Sequence, residues 1–90
     1  MATFKKDPNA VLDYVFDWGP WLTPMLDTIA TVTWLPDTGL TVTNTSNTAT
    51  TATAYVSGGT VDTTQQLTCR ITTTGGRTDD RSILLKIVNR

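Results

Sequence analysis

Asp13 and Asp17 are the first residues in this chain that could act as a carboxylate pair. Two carboxyls flanking a glycosidic bond work as acid and base, or acid and nucleophile, when roughly 5–9.5 Å apart. The surrounding residues, VLDYVFDW, alternate apolar and polar as a strand does. At ~3.3 Å per residue the two aspartates then lie ~13 Å apart, which does not suit that chemistry. Asp79 and Asp80 are adjacent, so on a strand they diverge, and no Asp-x-Asp spacing supports a Ca²⁺ loop. Cys69 is the only cysteine and the chain has no histidine. A nucleophile therefore lacks its usual base, and a metal lacks its commonest neutral ligand. Cys69 also falls at an alternating apolar position, where a thiol is a small core residue. Gly58-Gly59 and Gly75-Gly76 lack the lysine and spacing of a phosphate loop. Asn44-Thr45-Ser46 matches a glycosylation sequon, which in a cytoplasmic chain is coincidence. No catalytic residue, cofactor or metal is expected, and the chain is read as no enzyme.

That leaves surfaces. Trp18, Trp21 and Trp34 are many tryptophans for 90 residues. A buried ring removes about 150–250 Å² from water, an upper estimate of roughly 4–6 kcal/mol. Trp34 sits on an alternating strand and is expected in the core. Trp18 and Trp21 flank Gly19-Pro20, where a strand gives way to a turn, and either could be core or an exposed anchor. Outward Tyr55 is another possible anchor. The segment Gly76-Arg77-Thr78-Asp79-Asp80-Arg81 mixes both charge signs at the tip between the last two strands. It could be a hairpin closed by Arg–Asp pairs, each worth under ~1 kcal/mol at a surface, or a patch that docks a partner. Trp18, Trp21, Arg77, Asp80 and Arg81 are the candidate interface residues.

The elements that position them are strands. Threonine is the most abundant residue, and all eight acidic residues are Asp. Thr fits a pleated sheet, and Asp favours turns over helix interiors. Strands are expected over 11–18, 28–35, 40–44, 50–57, 65–73 and 81–88. Tyr14, Phe16 and Trp18 share a face, as do Ala30, Val32 and Trp34. Leu40 and Val42 point inward, followed by Ala52, Ala54 and Val56, by Leu67, Cys69 and Ile71, and by Ile83, Leu85 and Ile87. Pro36-Asp37-Thr38-Gly39 is a turn, and 44–48 reads as loop. Short strands with regular turn signals imply an all-β, immunoglobulin-like β-sandwich of about six to seven antiparallel strands. Residues 1–10 read as an N-terminal arm, with Phe4 to Asn9 ordering on a neighbour, and 11–90 as one domain.

The net charge of −1 gives no basic footprint for nucleic acid. Residues 1–45 are mostly acidic and 46–90 mostly basic, an asymmetry that could orient copies of the chain against one another. No apolar run approaches the ~18 residues of a membrane span, and MATFKKDPNA lacks the apolar stretch of a signal peptide. A single thiol suits a reducing cytoplasm.

The chain as a whole resembles small virion proteins of tailed bacteriophages, the fibre–tail adaptors. The resemblance lies in Asp17-Trp18…Trp21-Leu22, Asp27-Thr28-Ile29, Ser57-Gly58-Gly59-Thr60, and Ile71-Thr72-Thr73 with Gly76-Arg77-Thr78-Asp79-Asp80-Arg81-Ser82. Related chains often carry an aromatic where this one has Gln65-Gln66. The resemblance implies a structural protein of the virion tail, built in the host cytoplasm, homo-oligomeric, and bound to other tail, fibre or nozzle components. A capsid decoration protein would use the same fold. A host-carbohydrate-binding module would use Trp21 and Tyr55.

Overall fold

In the computed structural model, residues 2–89 are described. The chain forms β1 (Ala2–Lys6), β2 (Leu12–Asp17), a short helix α1 (Gly19–Leu22), a 3-10 turn (Thr23–Met25), β3 (Ile29–Pro36), β4 (Leu40–Asn47), β5 (Thr51–Gly58), β6 (Thr64–Thr73) and β7 (Thr78–Ile87). These strands make two sheets, β1-β7-β6-β3 and β2-β5-β4. The two sheets face each other across one core, an all-β sandwich. All pairings are antiparallel except β1 with β7, which is parallel.

The period-two pattern sorts the core. Tyr14 and Phe16 on β2, Ala52, Ala54 and Val56 on β5, Leu67, Cys69 and Ile71 on β6, and Ile83, Leu85 and Ile87 on β7 are buried between the sheets. Phe16 meets Trp34 of the opposite sheet edge-to-face, with ring centroids 5.5 Å apart. Trp34 is only partly buried, packed at the margin of this core. Gln65 is also buried. Its side chain accepts from the Thr60 amide at 3.0 Å and donates to the Thr38 carbonyl, tying the loop before β6 to the turn before β4. Gln65 is thus a polar lock at this end of the core.

Three expectations need correction. Residues 2–6 are not an arm: they pair with β7 over Ala2–Lys6 against Ile83–Ile87. The short polar run hid this strand, because its anchor is a lysine. Lys6 is fully buried, and its ammonium donates to the Gly58 carbonyl at 2.7 Å and the Asp7 carbonyl at 2.9 Å. Burial lowers its pKa, opposed in part by Asp7. Phe4 closes the same side against Tyr14, with centroids 5.5 Å apart. Met1 and Arg90, the outer limits of the expected arm and domain, lie outside the described residues.

Secondly, Ala30 is exposed and Ile29 is buried instead. A register shift between Ile29 and Thr31 reverses the alternation there before Val32 and Trp34 resume it. Thirdly, β4 runs on through the expected loop to Asn47. It does so by a register shift between Thr43 and Ser46, with Asn44 left-handed at φ 47°. Asn tolerates that region better than most side chains.

Candidate functional site

Trp18 closes β2 and opens α1. Its amide donates to the Thr50 carbonyl at 2.8 Å, and its carbonyl accepts from Leu22 at 2.9 Å and Trp21 at 3.1 Å. These bonds turn the chain sharply and drive the indole inward, where it is 0% exposed. Trp18 is therefore core and not a contact residue: a fully covered ring has nothing to offer a partner. Trp21 lies partly buried against it, with ring centroids 5.7 Å apart. Arg81 roofs the pair. Its guanidinium carbon stands 4.3 Å from the Trp18 ring centroid, and Nη1 donates to the Asp17 carbonyl at 2.8 Å. Cys69 faces the same indole, and burial pushes its thiol up to about 11, opposed by the Trp18 N–H and the Arg81 charge. The Trp18 N–H makes no full hydrogen bond, sulfur being a weak acceptor. At that pKa Cys69 is a protonated thiol at neutral pH, not a nucleophile.

The mixed-charge segment comes apart for a simple reason. β7 begins at Thr78, so Asp80 and Arg81 stand on a strand and point to opposite faces. Asp80 sits across from Arg70, in register, and takes a two-pronged bond at 2.8 and 3.0 Å. Arg70 lowers the Asp80 pKa, mainly through that hydrogen bond, and is itself raised. Arg77 alone remains in the turn, where Nη1 meets Asp27 Oδ2 at 2.9 Å. The structure thus brings Trp18, Trp21 and Arg81 together by packing, while Arg77 and Asp80 belong to separate pairs.

Asp27 is the hub that the sequence reading missed. Its Oδ1 accepts from the amides of Thr28 at 2.9 Å and Gly75 at 3.0 Å. Its side chain is 4% exposed, against 50% for Arg77. The Thr73 hydroxyl, the two amides and Arg77 hold its carboxyl down at about 2, against the opposing effect of burial. This carboxylate fastens the β6–β7 turn to the segment before β3. A lone Asp beside a Thr gives no sequence signal for a contact spanning 48 residues.

Leu26 was also missed. It precedes Asp27, is left-handed at φ 53°, and is 95% exposed. A bulky non-glycine residue in that region is held against its preference. The 3-10 turn bond from the Leu26 amide to Thr23 at 3.1 Å and the Asp27 hub fix it on both sides. Met25 packs inward beside it, against the core.

Other concavities are slight. A broad, open recess is lined by Arg70, Thr78, Asp79 and Asp80. A cleft of about 100 Å³ between β3 and β4 is lined by Val32, Trp34, Thr45, Ser46 and Asn47. Among the described residues no group of three or more His, Cys, Asp or Glu side chains could hold a metal. Tyr55 is 38% exposed on the outward side of β5, and Trp21 is partly buried against the core from α1.

These features define an all-β sandwich whose loops are tied down by a few polar side chains, Lys6, Asp27, Gln65 and Arg81 among them. The family described as podophage GP4 fiber-tail adaptor protein gp77 matches residues 6–86, and the chain belongs to that family. No curated protein matches the chain.

Proposed function

We propose that this protein is a non-enzymatic adaptor of the virion tail, joining tail and fibre or nozzle components, folded in the host cytoplasm before assembly. The contact surface is the end of the sandwich formed by α1, the 3-10 turn and the β6–β7 turn. Leu26 carries this reading. Apolar exposure and a left-handed backbone both count against leucine at that position in a free chain. A partner that covers the side chain gives it a use. Arg77, half exposed on the neighbouring turn, supplies a charged rim, and Trp21 backs the surface from the core. Family membership supports the adaptor role, and burial keeps the Cys69 thiol protonated at neutral pH.

The test is Leu26→Asp in assembled particles, with fibre occupancy counted by quantitative mass spectrometry. Loss of fibres or of this chain, with the isolated variant still folded, is the expected result. Full fibre occupancy would remove the contact from this surface. The copy number of the wild-type chain in the same particles separates a tail adaptor from a shell decoration protein: few to a few dozen copies fit the former, hundreds the latter.

A further inference from the structure

The two outer faces of the sandwich carry opposite charge. On the four-stranded sheet Lys5 and Lys86 stand directly abreast in the β1–β7 register. Like charges in such pairs destabilise a sheet. Neither lysine side chain has an ion pair or hydrogen bond among the described residues. Arg70 and Asp80, on the same face, neutralise each other. On the three-stranded sheet the outward positions of β2 are Asp13, Val15 and Asp17, and the outward positions of β4 and β5 carry no Lys or Arg. Asp13 has no partner among the described residues, and Asp17 uses one oxygen to accept the Gly19 amide at 2.9 Å. Val15 is 60% and Tyr55 38% exposed on this acidic face, across β2 and β5.

We propose that the acidic β2–β5 face of one copy docks on the Lys5–Lys86 face of the next. Charge complementarity selects the occupant: each face carries what the other lacks, and the apolar Val15 and Tyr55 supply area that charges alone do not. Because the two faces are on opposite sides of one sandwich, the contact is head-to-tail. Such contacts repeat, giving a ring where the rotation closes. The inference deepens the adaptor reading by naming how copies meet. Its test uses the isolated chain, so its failure leaves the Leu26 attachment test standing.

The experiment is sedimentation of the full chain at ~0.01 M and ~1 M salt, where the Debye length is ~30 Å and ~3 Å. The wild type is expected to self-associate at low salt and to weaken as salt rises. One variant carries Asp13→Lys with Val15→Lys, leaving the Asp17 cap intact; the other carries Lys5→Asp with Lys86→Asp. Each alone is expected to lose association by at least about tenfold, since like-charge juxtaposition costs several kcal/mol and 1.4 kcal/mol is tenfold. An equimolar mixture of the two is expected to recover it, because every junction then joins opposite charges again. Circular dichroism first confirms that each variant is folded. A monomeric wild type at low salt, or folded variants that associate as well alone as mixed, would overturn the proposal.

Discussion

Replacing Trp18 tests whether the end of the sandwich is held by its core. The ring is fully buried. Removing it in Trp18→Ala is expected to cost about 3–5 kcal/mol, through lost transfer energy and an unfilled cavity. A chain of 90 residues at roughly 0.05–0.15 kcal/mol per residue has about 4.5–13.5 kcal/mol in total. The alanine variant should therefore lose from about a quarter to all of that stability. Trp18→Phe separates packing from polarity. It gives up roughly 50 Å² of buried surface, about 1 kcal/mol at ~25 cal/mol per Å². It also removes an indole N–H that has no full hydrogen bond, and an unsatisfied buried donor costs about 1–3 kcal/mol. The two effects nearly offset, so Trp18→Phe should stay within about 1 kcal/mol of wild type. Urea unfolding followed by far-ultraviolet circular dichroism reads both variants, with Trp21 and Trp34 left as fluorescence reporters. A Trp18→Ala variant that loses less than about 1 kcal/mol would refute the packing argument and return Trp18 to the list of contact residues.

Asp27→Asn should destabilise the chain at neutral pH and flatten its acid unfolding. The folded carboxyl sits at about 2 against an ordinary 3.8, so its contribution is present above about pH 4 and lost as pH falls toward 2. An unchanged acid midpoint in the variant would rule out the hub. Gly59→Ala should cost about 1–3 kcal/mol through overpacking, since φ is +111° and a Cβ would lie 2.6 Å from Ile87 Cδ1. Adding Ile87→Val, which removes that atom, should not restore full stability because the backbone strain remains; thermal melts measure both. Leu26→Asn should raise the melting temperature of the isolated chain, because Asn accepts the left-handed region, while weakening fibre attachment. A lower melting temperature would mean that Leu26 is not strained.

Most of the sandwich was legible because period two survives wherever a strand buries one face. Tyr14 with Phe16, Leu67 with Cys69 and Ile71, and Ile83 with Leu85 and Ile87 need only local alternation. The sequence hid what depends on distant partners. β1 lacks an apolar anchor at its buried end, and Lys6 serves only because the Gly58 and Asp7 carbonyls meet its ammonium. The Ile29–Thr31 shift changes parity without a glycine or proline to mark it. For the site, residue type pointed at Trp18, Arg77, Asp80 and Arg81, but type cannot say whether a guanidinium faces outward or has an internal partner. Arg81 lies over Trp18, and Asp80 answers Arg70 from a strand that begins earlier than expected. Leu26 gave no signal, because exposure of a leucine depends on a turn conformation that its neighbours impose.

These internal pairings bear on how such a small domain can act as a connector. An adaptor must transmit force between larger bodies without its loops giving way, yet this chain has one thiol and so no internal disulfide to help. Polar cross-links take that place at both ends of the sandwich. Lys6 and Gln65 bind the β1 end to the loops around Gly58, Thr38 and Thr60. Asp27 and Arg81 bind the opposite connection to the β6–β7 turn and to β2. Asp27, its side chain 4% exposed, is a poor choice for adhesion, because breaking its bonds to meet a partner would leave a buried charge behind, whereas Arg77 stays half exposed and can still rim a contact. In the proposed contacts, adhesion falls to side chains without a polar partner among the described residues: Leu26 at the clamped end, and Lys5, Lys86 and Asp13 on the sheet faces. If stiffness and adhesion are divided in this way, substitutions in the first group should lower the melting temperature and substitutions in the second should not. Attachment or association should change for the second group even where the melting temperature stays put. A Lys86→Asp variant that lost thermal stability as severely as Asp27→Asn would break that division.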